Sequence, residues 1–184
     1  MFSFKIDDDT RLELLEQRHS KIIFAIIDRD REYLREWLPW VDLTKSPDDT
    51  DEFIESTLRQ FAANKGFQAA IVYKNAFAGI IGFHAIDWDH KRTSIGYWLA
   101  RDAQGRGLMS RACAALVNHA LVTLGLERVE IRCATGNTKS QAIPERLGFT
   151  FEGISRNYEV VNGKSLDHRV YSMLKSEWTP LQEF

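Results

Sequence analysis

The segment Gln104-Gly105-Arg106-Gly107-Leu108-Met109 constrains this chain more than any other. It lies between a stretch that reads as a strand, Thr93 to Ala100, and one with helical spacing, about Gly107 to Leu124. Two glycines at such a junction permit backbone conformations and close approaches that a Cβ obstructs. Three readings compete. A dinucleotide fingerprint wants G-x-G-x-x-G and a downstream acidic residue, but Ser110 stands where the third glycine belongs. A P-loop wants Gly-Lys-Ser/Thr, which is absent. The third is a loop of exposed backbone N–H groups leading into a helix whose N-terminus faces an anion. A glycine turn by itself is more often structural than ligand-binding, so its context decides.

That context is a chain of alternating strand and helix signals with no repeat and no linker rich in Pro, Gly or Ser. Thr10 to Leu15 reads as a strand and His19 to about Arg31 as a helix with a broad apolar stripe. Arg31 to Trp40 is a short aromatic-rich helix or turn. Ser46-Pro47-Asp48-Asp49 is a helix start: a capping Ser, Pro at the first helical position, then carboxylates in the positive first turn. That helix runs through Phe53, Ile54, Leu58 and Phe61 to end near Gly66. Phe67 to Lys74 and Phe77 to Trp88 read as strands joined across Asn75-Ala76. After the glycine turn, Leu108, Ala112, Ala115, Leu116 and Ala120 mark a buried helix face that Gly125 closes. Arg128 to Ala134 is a strand and Thr138 to Leu147 a helix. Phe149 to Val161 and Lys164 to Leu174 form a hairpin around Asn162-Gly163. The fold class expected is α/β (α+β), a mixed sheet with helices on both faces, as one domain over 1-184 with its core at about 10-174.

Composition removes several classes. The formal net charge of -2 lacks the basic excess of a nucleic-acid binder, so no nucleic-acid partner is expected. The N-terminus lacks the basic and apolar regions of a secretory signal. No apolar run approaches the roughly 20 residues of a membrane span, so no membrane partner is expected. Cys113 and Cys133 have neither CxxC spacing nor a neighbouring His pair, which fits two reduced thiols in a cytoplasmic protein. His84, His90, His119 and His168 are scattered, and the acidic run from Asp48 to Glu52 belongs to a helix start. No metal is expected.

The stretch from Ser94 to Gly107 resembles the signature of the GNAT acetyltransferases, Q/R-x-x-G-x-G/A, with Gln104 and Gly107 matching and Met109 in the final small-residue position. Asn137, Ser140 and Gly148-Phe149 resemble the family's second signature, N-x-x-A/S…GF. Arg31 to Trp40 and the hairpin Asn162-Gly163…Asp167 are similar to the RimJ/RimL subfamily, which acetylates the N-termini of ribosomal proteins. The resemblance spans about Thr10 to Leu174 and implies a mostly antiparallel sheet of about seven strands. It also implies acetyl-CoA as co-substrate and direct transfer to an amine, without a covalent enzyme intermediate.

Residue by residue, the resemblance implies that the backbone of Trp98, Leu99, Ala100 and Arg101 pairs with the pantetheine arm. The amides of Gln104, Gly105, Arg106, Gly107, Leu108, Met109 and Ser110 would hold the pyrophosphate, and Asn137 the pantetheine from the opposite side. A backbone N–H near Leu99 or Ala100 would meet the oxyanion. Pro144 stands where many members carry a Tyr acid, four residues before Gly148-Phe149, so the resemblance passes that role to Ser140 and the base role to Glu159. Plainer readings stand beside these: Ser140 as a helix cap, Glu159 as a solvated hairpin carboxylate, Asn137 as a turn residue. Trp37, Leu38 and Trp40 are expected either in the acceptor slot or in the core.

Three functions share these residues. They are acetylation of a protein N-terminus, acetylation of a small amine such as a polyamine, amino sugar or amino-acid analogue, and non-catalytic acyl-CoA binding. Trp88, Trp98 and the aromatic hairpin leave room for a self-interface, as in a dimer, on a face the sequence does not specify.

Overall fold

The computed structural model describes residues 3–179. Among these residues one sheet has the strand order β1-β2-β3-β4-β5-β6-β8-β7. The strands are β1 (Ser3–Lys5), β2 (Thr10–Leu14), β3 (Gln68–Tyr73), β4 (Ala76–Asp87), β5 (Arg92–Leu99), β6 (Arg128–Ala134), β7 (Thr150–Val161) and β8 (Lys164–Leu174). Every pairing is antiparallel except that of β5 with β6. The eighth strand, beyond the seven expected, is β1. It pairs with β2 through three exposed residues, too few to show a period.

The α-helices are α1 (Ser20–Arg29), α2 (Arg31–Leu34), α3 (Pro47–Ala62), α4 (Leu108–Asn118) and α5 (Thr138–Arg146). Ile80 of β4 shares a cavity wall with Ile23 and Ile27 of α1. Phe83, three residues on and therefore on the other face, stacks on His119 just past α4. Helices cover both faces, as the sequence predicts.

Local signals translate well where they name a mechanism. Ser46 and Asp49 form a reciprocal capping box with Pro47 at the first turn of α3. Asn162 and Gly163 both take positive φ, 51° and 73°, which two-residue hairpin turns require. Two expectations shift. The β3–β4 turn centres on Lys74-Asn75, both at positive φ, one residue earlier than expected. The buried face of α3 is Thr50, Ile54 and Thr57, packed toward α1, while Phe53 and Phe61 are exposed. Those three inward residues recur at the i, i+4, i+7 spacing of one helical stripe; Phe53 flanks that stripe, and Phe61 continues it into the exposed last turn.

Past α4 the backbone widens into a π-turn over His119–Thr123, with Leu124 N–H donating to His119 C=O. The expected inward face of α4 holds throughout: Leu108, Ala112, Ala115, Leu116 and Ala120 are all buried.

Candidate active site

The sheet divides in the middle. β5 pairs with β6 only over Arg92–Ser94 opposite Arg128–Glu130, and no pairing continues beyond Ser94. On its other side β5 stays bonded to β4 as far as Leu99. Ala100 N–H donates to Ala78 C=O at 2.8 Å. Antiparallel bonds alternate, so Trp98 and Ala100 turn their backbone groups to β4, while Tyr97 and Leu99 turn theirs into the gap.

At the end of β5 the buried carboxylate of Asp30 accepts from Arg101 N–H at 2.8 Å and pairs with Arg29. This contact fixes where the glycine loop begins. Gly105 and Gly107 take φ of 74° and 70°, left-handed conformations that cost a residue with a Cβ roughly 1 kcal/mol or more. Among the described residues none of the amides from Gly105 to Ser110 donates to another group. No side chain caps α4 and no acid stands in its first turn, so the helix N-terminus remains an unneutralised partial positive charge. These open amides fit a diphosphate. Met109, at the small-residue position of the motif, turns its side chain into the core and leaves the loop uncrowded. The Gln104 side chain bridges the rim, donating to Tyr33 Oη and accepting from Lys139 Nζ at 3.2 Å.

Below the gap lies a cavity of about 970 Å³ whose walls include Trp37, Leu38, Trp40, Tyr97, Cys133, Asn137, Ser140, Tyr158, Glu159 and His168. Ser140 and Glu159, far apart in sequence, therefore share one chamber. Asn137 caps α5, its Oδ1 accepting from Ser140 N–H at 3.1 Å, which rules out Ser140 as the cap. Ser140 Oγ lies 3.2 Å from Cys133 Sγ and 3.4 Å from Tyr97 Oη. Pro144 has no N–H to offer the carbonyl four residues back. Tyr97 Oη donates to that carbonyl, Ser140 C=O, at 3.1 Å. Burial raises the Tyr97 hydroxyl well above the usual tyrosine range, so it stays protonated as a donor.

Glu159 is half-buried, and burial pushes its carboxyl above the usual carboxylate range. It owes its position to an irregularity in β7. The register jumps between Ser155 opposite His168 and Glu159 opposite Leu166, with Asn157 at a φ of 50°. The two extra residues bulge outward, and Glu159 returns to the face that carries His168. Nearby, Glu130 is held below the usual carboxylate range by Arg128 and Arg132 against the opposing effect of burial.

A profile described as "Acetyltransferase (GNAT) domain" matches residues 10–150. The chain is 36% identical over 97% of its length to "Putative ribosomal N-acetyltransferase YdaF" of Bacillus subtilis (strain 168), covering 98% of that protein. The chain belongs to the GNAT acetyltransferase family. Among solved structures it is similar to RimL, a ribosomal α-N-protein acetyltransferase in complex with coenzyme A. The TM-score is 0.91 at 25% identity, with 94% of this chain and 98% of the other covered. It is also similar to the microcin self-immunity acetyltransferase MccE in complex with acetyl-CoA and AMP. There the TM-score is 0.89 at 29% identity, with 93% and 95% covered.

As a GNAT enzyme this chain is an N-acetyltransferase that uses acetyl-CoA. Its gap and loop narrow the sequence expectations. Of the two amides expected at the oxyanion, Ala100 N–H is engaged by β4 and only Leu99 N–H is open. Arg101 N–H is likewise engaged, by Asp30. The Trp98 side chain is buried against Trp40 and Phe77, so it supplies core and no self-interface. Trp37 projects over Gly136, where an added Cβ would stand 3.1 Å from its ring. Trp40 and Leu38 pack on the core and also face the cavity. Tyr97 and His168 are cavity residues that sequence reasoning missed; the alternation of side chains along β5 and β8 is the only signal that marks them.

Proposed function

We propose that this acetyltransferase acts in the cytoplasm, as one domain over the whole chain, on the N-terminal α-amino group of a ribosomal protein. The observation that carries the reading is the shared chamber: Glu159, Ser140 and the open edge of β5 meet around one cavity with Trp37 in its wall. The names of the relatives YdaF and RimL support the acceptor class.

Acetyl-CoA supplies a thioester whose carbonyl an amine attacks directly. The loop amides of Gly105–Ser110 hold the diphosphate, and the Tyr97 and Leu99 backbone groups and Asn137 align the arm. An α-ammonium with a pKa near ~8 must lose a proton before it can attack. Glu159 takes that proton; its raised pKa brings it nearer the working pH, which favours general-base catalysis. Leu99 N–H faces the developing oxyanion. The Ser140 hydroxyl, in contact with Tyr97 Oη, relays to the departing thiolate the proton that the attacking nitrogen sheds as the tetrahedral intermediate collapses. The serine oxygen thus ends protonated and CoA leaves as the thiol.

The test is an acetyl-transfer screen by mass spectrometry, with intact ribosomal proteins alongside small amines, on the native enzyme, E159Q and S140A. The reading expects acetylated N-termini and a kcat lower by roughly 10²–10⁴ in E159Q with acetyl-CoA binding retained. Unchanged transfer in both variants would remove the acid–base assignment. The likeness to MccE, solved with AMP, supports a second reading in which a small amine is the acceptor. Preferential acetylation of the small amines decides for it. Self-association, as in a dimer, has its exposed apolar surface along edge strand β7, at Phe151, Ile154, Tyr158 and Val160.

A further inference from the structure

His168 is a buried residue of β8 that no other part of the fold accounts for. Neither ring nitrogen has a hydrogen-bond partner, although its side chain is only 9% exposed. Leaving such a group unpaired costs about 1–3 kcal/mol, so a hydrophobic residue would serve simple packing better. The ring is held by a stack. Tyr158 packs against it at 4.8 Å between centroids, and the Arg132 guanidinium covers Tyr158 at 4.6 Å. Nε2 points along the cavity wall to Glu159 Oε2, 3.4 Å away but off hydrogen-bond alignment. The β7 bulge that returns Glu159 to this face is what brings the two together.

We infer that His168 is the positioning residue of the transfer reaction. Its neutral imidazole donates from Nε2 to the Glu159 carboxylate and fixes the oxygen that receives the acceptor's proton. The inference rests on reading Glu159 as the base. A small rotation of the Glu159 side chain, a third exposed and free to turn, closes the bond. The charged groups facing the ring are Glu159 on β7 and Arg132 on β6; burial first, and then Arg132, disfavour a positive charge on the imidazole. Nδ1 then carries no proton and needs no acceptor. A donor at Nε2 also favours the ionised carboxylate, offsetting part of the burial that raises its pKa.

The experiment is steady-state kinetics on the full chain with H168F, H168Q, H168A and E159Q, each over a range of pH. H168F keeps a ring against Tyr158 but removes the donor. It should lower kcat about 10- to 100-fold, the range of one hydrogen bond to a charged group. The acid limb of kcat should move to higher pH by about one unit, with KM for acetyl-CoA unchanged. H168Q restores a donor near Nε2 and should recover most of kcat. If H168F does not fold, H168A with added imidazole gives the same reading, since imidazole should restore kcat. A melting-temperature change with kcat and the acid limb unmoved overturns the inference and leaves a structural histidine. Equal loss in H168F and H168Q, with no imidazole rescue of H168A, also overturns it. If E159Q itself keeps full activity, the base assignment fails, and the failure is traced to Glu159 instead of His168.

Discussion

The hydroxyl of Tyr97 donates to the backbone carbonyl of Ser140, 3.1 Å away, and so completes a helix that Pro144 interrupts. Pro144 is buried inside α5 and offers no N–H to Ser140 C=O. One phenol thereby satisfies the carbonyl and stands beside the Ser140 hydroxyl. Y97F should cost about 1–3 kcal/mol in denaturant unfolding, the price of an unpaired buried carbonyl. P144A restores the N–H, so the double variant Y97F/P144A should recover about 1 kcal/mol of that loss. A double-mutant cycle with no coupling would separate the two residues.

Gly107 offers a second test. Its φ of 70° and the Arg111 Nη1 atom, 3.0 Å from where a Cβ would stand, both oppose a side chain. G107A should destabilise the fold by about 1–2 kcal/mol. It should also weaken acetyl-CoA binding in calorimetry, with kcat at saturation changed less than KM.

Asp30 links the loop to acid stability. The Arg29 guanidinium beside it, and then the Arg101 amide, hold its carboxyl below the usual aspartate range despite burial. A lowered folded-state pKa adds stability that is complete above the unfolded value near ~3.9 and vanishes as pH falls through the folded value. Native protein should therefore exceed D30N by about 1–2 kcal/mol at pH 6. The gap should close in melts taken at successively lower pH below about 4. KM for acetyl-CoA should rise in D30N, because the start of the glycine loop loses its anchor.

Trp37 and Trp98 make opposite predictions although both line the cavity. Trp98 is buried between Trp40 and Phe77, and W98A should cost about 3–5 kcal/mol of stability. Trp37 lies outside the core cluster, so W37A should leave the melting temperature within a few degrees and raise KM for the acceptor alone. A raised KM for acetyl-CoA in W37A would move Trp37 out of the acceptor slot.

The parts of the fold legible in the sequence are those whose chemistry is local. Ser46-Pro47, Asn162-Gly163 and the glycines of the loop each require a particular backbone state, and each is found in it. Positions set by distant partners were not legible. β1 pairs only with the edge that β2 offers, and the π-turn after α4 begins at His119, whose ring lies against the distant Phe83. In the site, spacing carried Ser140 and Glu159 to one chamber only through family resemblance. The β7 bulge that aims Glu159 has no signature beyond Asn157, and the union of Tyr97 with Ser140 joins residues 43 apart. His168 differed in sequence from no other scattered histidine until β8 placed it beside Glu159.

The short union of β5 with β6 has a consequence for the folded state itself. An interior edge with unpaired Tyr97 and Leu99 backbone groups is an unfinished seam, the kind of edge proteins ordinarily seal. In the binding mode proposed above the acetyl-CoA arm is the missing strand, so each catalytic cycle finishes the sheet and reopens it. Cofactor occupancy thus becomes part of the protein's own cohesion, worth about 2.7 kcal/mol at a hundredfold excess over Kd.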